Sequence, residues 1–200
     1  MEPRNIISSL HILGVFLLYG GVILNLFVGC SSKDNIPTEY IESSFKLLED
    51  ISKIDNVNLV FGAFHSGLMK IAYDMFVANN KKIIGIKKED NDEGSYSYDK
   101  TIITDTATSR FNEIYKHSDV LLFLPGGVGS LAELFSAIEE VKYDEKKKTI
   151  ILYNDNYFYT PIIKKLYELY KDGFIEGVPS DYMIIESDYN EIIKLIKEMN

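Results

Sequence analysis

From Asn25 to the C-terminus, short apolar runs alternate with amphipathic stretches, the pattern of a parallel sheet covered by helices. The runs predict strands over Leu26 to Gly29, Leu59 to Phe61, Lys82 to Ile86, Thr101 to Thr104, Val120 to Leu124, Thr149 to Tyr153 and Tyr182 to Glu186. Between them, apolar residues recur at helical spacing: Ile41, Phe45, Leu48 and Ile51; Leu68, Ile71, Ala72 and Met75; Phe111, Ile114 and Tyr115; Leu134, Ala137, Ile138 and Val141. Ile162 to Tyr170 and Ile192 to Met199 close the chain in the same style. The expected fold is α/β: a single Rossmann-like domain over residues 25–200, its doubly wound parallel sheet flanked by helices. Such sheets bind ligands outside the carboxyl ends of their strands. The loops expected there are Cys30-Ser31-Ser32, Gly62 to Gly67, Thr106 to Arg110 and Pro125 to Ser130.

Residues 1–24 do not follow this pattern. Leu10 to Val28 is nearly all apolar, broken by His11 and Asn25, and about as long as a membrane span. Three readings stand side by side: an apolar N-terminal extension feeding the first strand, a membrane anchor through residues 10–24, and an export signal ending near Cys30. The export reading has only Arg4, offset by Glu2, as its basic region. Elsewhere the pattern lapses only at Lys87 to Lys100, KKEDNDEGSYSYDK, which reads as an acidic surface loop.

The stretch LFLPGGVGSLAELFSAIEE, Leu122 to Glu140, places Pro125, Gly126, Gly127 and Gly129 between a strand and a helix. Strand, glycine turn and helix together aim unpaired backbone N–H groups at one point, where the helix dipole also favours an anion. Gly126, Gly127 and Gly129 let a phosphate approach closely, and Ser130, expected at the N-cap, adds a hydroxyl. A tight turn without a ligand fits the same residues, and Ser130 with Glu133 also reads as a capping box. It is not a Walker loop, because no lysine follows the last glycine.

Composition narrows the partners. The 200 residues are 46% hydrophobic, enough for one full core, and carry a net charge of -9. Nucleic acid is therefore not an expected partner, since the clearest basic patch, Lys146 to Lys148, follows Asp144 and Glu145 as a solvated turn. Cys30 is the single cysteine, so the chain can form no internal disulfide and no multi-thiolate zinc site. A reducing, cytoplasmic setting is the simpler expectation, with membrane attachment through residues 10–24 as the alternative. The sequence contains no metal-ligand cluster and no dinucleotide fingerprint, so neither a metal nor an organic cofactor is expected. Cys30 reads as a small residue closing a strand rather than a nucleophile. His65, alone in a loop near Gly67, could touch a ligand but reads as chemically idle, and the many tyrosines read as packing groups.

Pro125-Gly126-Gly127-x-Gly129-Ser130-x-x-Glu133 resembles the signature of the Lonely Guy family, the cytokinin riboside 5'-monophosphate phosphoribohydrolases often described as lysine decarboxylases. The resemblance runs from about Asn25 to the C-terminus, with its parts in the family's order. Phe27 to Ser32 is similar to the first strand and its Cys-Gly-Ser-Ser loop, with Gly29 and Cys30 exchanged. Leu59 to Gly62 and Ser66-Gly67-Leu68-Met69 resemble the second motif, and Arg110 precedes Ser118-Asp119 at the family's spacing. Leu152-Tyr153-Asn154 through Tyr157 to Pro161, then Asp172 to Ile175, resemble the C-terminal segment. Three positions depart: Gly62-Ala63-Phe64 stands for a glycine triplet, Lys70 for a glycine and Phe111 for a lysine.

The resemblance implies hydrolysis of the N-glycosidic bond of an adenosine-type or cytokinin nucleoside 5'-monophosphate, giving free base and ribose 5-phosphate, and a role in cytokinin biosynthesis. It implies Glu133 and Arg110 as catalytic residues. Gly126, Gly127, Gly129, Ser130, Ser31, Ser32 and Gly67 would bind the substrate or its phosphate. A homodimer is also implied, with the helix over Leu68 to Val77 and the one after Arg110 at its interface. Arg110, in the first turns after the strand ending at Thr104, is expected to converge on Glu133; a surface salt bridge with Glu113 is the alternative. A binding protein of the same fold, sensing a nucleotide-derived ligand without turnover, is the competing function.

Overall fold

The computed structural model describes residues 22–89, 96–144 and 148–200. Among these residues seven strands form one sheet: β1 (Leu24–Gly29), β2 (Val57–Phe61), β3 (Ile83–Lys88), β4 (Lys100–Thr104), β5 (Val120–Phe123), β6 (Thr149–Tyr153) and β7 (Ile184–Glu186). The helices are α1 (Thr38–Ser52), α2 (Gly67–Ala78), α3 (Ala107–His117), α4 (Val128–Tyr143), α5 (Thr160–Lys171), the single turn α6 (Pro179–Tyr182) and α7 (Tyr189–Glu198). The strand order is β4-β3-β2-β1-β5-β6-β7, and every pairing is parallel.

The central strands are apolar on both faces because helices cover both. Leu26, Leu59, Ile83 and Leu122 meet α1, α2 and α7 on one side. Phe27, Val60, Leu121 and Phe123 meet α3 and α4 on the other. Continuous apolar runs are what strands buried on two faces require. Strand succession runs outward from β1 in one direction, then restarts at β5 on its other side. The switch point therefore lies between β1 and β5, where their loops part to leave a crevice.

Three local expectations are corrected. Phe45 faces solvent, and α1 turns Leu47, Leu48 and Ile51 inward instead. Tyr182 is not in β7, because Pro179 at the start of α6 winds that segment into a helical turn and the strand begins at Ile184. Ser130 is not an N-cap: α4 begins one turn-fraction earlier, with Gly127 at the cap. The three readings of the N-terminal run turn on residues before position 22, which lie outside the described residues. Among the described residues no helix is long and apolar enough to cross a membrane.

Candidate active site

The β1 and β5 loops are sewn together before either can present anything to a ligand. Leu124 N–H donates to the Gly29 carbonyl at 2.9 Å, and Ser31 N–H donates to the Pro125 carbonyl at 3.2 Å. Ser130 Oγ donates to the Cys30 carbonyl at 3.0 Å, a buried bond that explains why this hydroxyl does not cap its own helix. From below, the buried Tyr159 hydroxyl donates to the Leu124 carbonyl at 2.6 Å. Gly126 is fixed by this stitching, since a Cβ there would lie 2.2 Å from Ser130 Oγ.

Gly127 and Gly129 are different. A Cβ on either would meet nothing within 4 Å. Gly127 has φ -88° and ψ -158°, extended backbone that any residue adopts. Packing among the described residues thus gives no reason for glycine at these two exposed positions. No side chain caps α4, and amides of a first helical turn have no intrahelical acceptor. Val128 and Gly129, whose N–H groups belong to that turn, are exposed beside the switch point.

Glu133 lies one turn into α4, largely buried, and its Oε1 accepts from Arg110 Nη2 at 2.8 Å. The capping-box alternative is excluded by that bond and by the cap at Gly127. Arg110 reaches across because α3 is started firmly. Thr106 Oγ1 accepts from Ser109 N–H at 3.0 Å, and Ser109 Oγ accepts from Thr106 N–H at 3.0 Å. Arg110 follows in the first turns and is directed towards the end of β2, where Nη1 donates to the Gly62 carbonyl at 2.8 Å. The surface pair with Glu113 does not form; Glu113 is taken by Lys116 and His117. Two residues far apart in sequence thereby share one largely buried ion pair.

Burial pushes the Glu133 carboxyl above its ordinary value, and the Arg110 guanidinium opposes that rise. Burial also drives the Cys30 thiol upward, with Glu133 adding to it, so Cys30 is held as a neutral thiol and is no nucleophile.

The remaining sequence candidates, Ser31, Ser32 and Gly67, take part in joining the β1 loop to α2. Ser31 Oγ accepts from Lys33 N–H at 3.0 Å, and the Ser31 carbonyl accepts from Met69 N–H at 3.3 Å. The Ser32 carbonyl accepts from Ser66 Oγ at 2.6 Å. Gly67 has φ +57°, and a Cβ on it would sit 2.6 Å from the Lys33 carbonyl. Its N–H donates to Asp34 Oδ1 at 2.8 Å, so the start of α2 is filled by a carboxylate of the chain itself. Phe111, the departure from the family's lysine, packs into the apolar layer beside Ile114 rather than facing the crevice. Of the departures in the glycine triplet, Phe64 faces the site, its ring centroid 5.3 Å from Arg110 Cζ, whereas Ala63, at φ +60°, is buried in the core. Asp34 and the Gly62 carbonyl carried no local signal in the sequence. Among the described residues no group of three or more His, Cys, Asp or Glu side chains is placed to hold a metal ion.

Over 175 residues the chain is 24% identical to a cytokinin riboside 5'-monophosphate phosphoribohydrolase of Arabidopsis thaliana, covering 86% of this chain and 80% of that protein. A relative of the same description from Rhodococcoides fascians is 22% identical over 145 residues, covering 70% and 73%. Among solved structures, the fold resembles the molybdenum cofactor binding protein of Rippkaea orientalis, with TM-score 0.66, 22% identity, and coverage of 90% of this chain and 99% of that one. It also resembles a Moco carrier protein from Chlamydomonas reinhardtii, with TM-score 0.63, 18% identity and coverage of 89% and 98%. The family model described as possible lysine decarboxylase matches residues 69–196, the greater part of the chain, and the protein belongs to that family, the Lonely Guy family.

Proposed function

We propose that the protein hydrolyses the N-glycosidic bond of an adenosine-type nucleoside 5'-monophosphate, releasing free base and ribose 5-phosphate. One observation carries the reading: Glu133 is held by Arg110 one helical turn behind an uncapped, glycine-lined helix start at the switch point. The phosphate accepts from the first-turn amides of α4, each charge-assisted bond contributing about 1.5–3 kcal/mol. Anchored there, the ribose has its anomeric carbon turned towards Glu133. As the bond from that carbon to the base nitrogen breaks, its electron pair leaves with the base and the sugar becomes oxocarbenium-like. The carboxylate stabilises this charge and takes a proton from the attacking water, whose oxygen forms the new bond; the base nitrogen is protonated from solvent. Arg110 keeps the carboxylate oriented and opposes its neutralisation in a buried setting.

A ligand-binding protein without turnover is the second reading. It is favoured by Ala63 and Phe64 standing where the family has glycines, and binding or carriage is what the two structural neighbours are described as doing. One experiment separates the two: incubate the protein with adenosine monophosphate and with isopentenyladenosine monophosphate, and follow free base by chromatography. Release by wild type, lowered about 10²–10⁴-fold in Glu133→Gln, supports the enzyme. Tight binding with no release supports the carrier or sensor.

A further inference from the structure

Arg110 is restrained on three sides by one short segment and its partner. Nη1 is bonded to the Gly62 carbonyl, Nη2 to Glu133, and the aromatic ring of Phe64 covers the guanidinium at 5.3 Å. The segment is shaped to do this. Gly62 leaves room for the guanidinium, since a Cβ there would sit 2.7 Å from Nη1, and Ala63 at φ +60° turns the backbone so that Phe64 comes back over the arginine. Phe64 is itself half-buried and rests against the α1 and α2 side of the core, so the ring is backed by packing. A cation against an aromatic face is attracted by the ring quadrupole, more strongly when water is excluded.

We infer that Phe64 is a positioning residue, which together with the Gly62 carbonyl locks Arg110 onto Glu133 and keeps the guanidinium from reaching the substrate's phosphate. The inference rests on the phosphoribohydrolase reading for its kinetic consequence but not for its structural one. With one N–H of each terminal nitrogen bonded and one face covered by the ring, Arg110 acts on the reaction through Glu133. The anionic group of the substrate is left to the amides of α4. Phe64 then affects the chemical step and not the binding of any particular base.

The test uses the full chain as wild type, Phe64→Leu and Phe64→Tyr, with Phe64→Met replacing the leucine variant if that variant does not fold. Arg4 and Arg110 are the arginines of the chain, so the Arg110 side-chain signal is assigned in ¹⁵N NMR by its loss in Arg110→Lys. Exchange of the Arg110 guanidinium protons with water is expected to be at least tenfold faster in Phe64→Leu and unchanged in Phe64→Tyr. For adenosine monophosphate hydrolysis, kcat is expected to fall at least tenfold in Phe64→Leu with KM within twofold of wild type, and to be restored in Phe64→Tyr. Unchanged exchange in a folded Phe64→Leu overturns the proposal. So does a rise in KM that differs from base to base at constant kcat, which would make Phe64 a substrate contact. If wild type releases no base, the enzymatic reading fails on its own, and the exchange rates still decide whether Phe64 holds Arg110.

Discussion

Two long helices, α2 and α4, begin beside the β1 loop, and the chain treats their N-termini in opposite ways. At α2 the Asp34 carboxylate accepts from Gly67 N–H, and the Ser31 carbonyl accepts from Met69 N–H. At α4 no side chain fills the cap, and the Ser130 hydroxyl that was free to do so is spent on the Cys30 carbonyl. The glycines differ in the same sense. Gly67 is imposed by a left-handed backbone and by Lys33 at its side, whereas Gly127 and Gly129 border open space. Both termini carry the same dipole and the same first-turn amides without an intrahelical acceptor. What separates them is whether the chain has supplied its own anion: at α2 it has, through Asp34, and at α4 it has not.

Substitutions at the two sets of glycines break or sharpen this contrast. The largest effect is expected at α2. Gly67→Ala forces a side chain into a left-handed conformation and against the Lys33 backbone, and should lower stability by about 3 kcal/mol in denaturant unfolding. At α4 the effect moves from stability to affinity. Gly129→Asp places a like charge where the phosphate is proposed to dock and should weaken adenosine monophosphate binding by about 2 kcal/mol, roughly thirtyfold in Kd by calorimetry, without lowering the unfolding midpoint. A smaller change is expected from Gly129→Ala, which enters open space in the first turn of α4 and should raise stability by about 0.5–1 kcal/mol. Should Gly129→Ala destabilise as Gly67→Ala does, the distinction between packing and ligand glycines is lost.

The smallest effect concerns pH. Burial raises Glu133 in the folded state, so its protonated form is favoured there. Its contribution to stability is present below the unfolded value and is lost as pH rises through the folded one. The proposed hydrolysis should run the other way, because it needs the carboxylate form, which appears only as pH rises through that raised value. Arg110→Met removes the charge that lowers it. A ¹³C carboxyl titration of Glu133 should therefore shift to higher pH in Arg110→Met, and a downward shift would mean that Arg110 does not hold the carboxylate.

The apolar pattern made the sheet legible because a strand buried on both faces has few other ways to be written. β1, β2 and β6 were expected within two residues of where they lie. The pairing of Arg110 with Glu133 was legible in part, through the placement of both residues at one sheet edge and the family's motif. Its geometry was not, since the Gly62 carbonyl is fixed by a fold-wide approach of α3 to the end of β2. Ser130 misled because its local signature is that of a cap, and only the meeting of the β1 and β5 loops offers it a better acceptor. Asp34 was invisible for a related reason: it stands 33 positions from the amide it satisfies. Phe45 shows the limit of counting spacing, as helical periodicity allows two neighbouring stripes and tertiary packing chose the one through Leu47 and Leu48.

Backbone amide NMR during titration with adenosine monophosphate tests the central assignment most directly, using Glu133→Gln to keep the nucleotide intact. The account predicts saturable shifts concentrated at Gly127, Val128, Gly129 and Ser130, with Gly67 and Leu68 still. Shifts centred on the start of α2, or none along the first turn of α4, would contradict it.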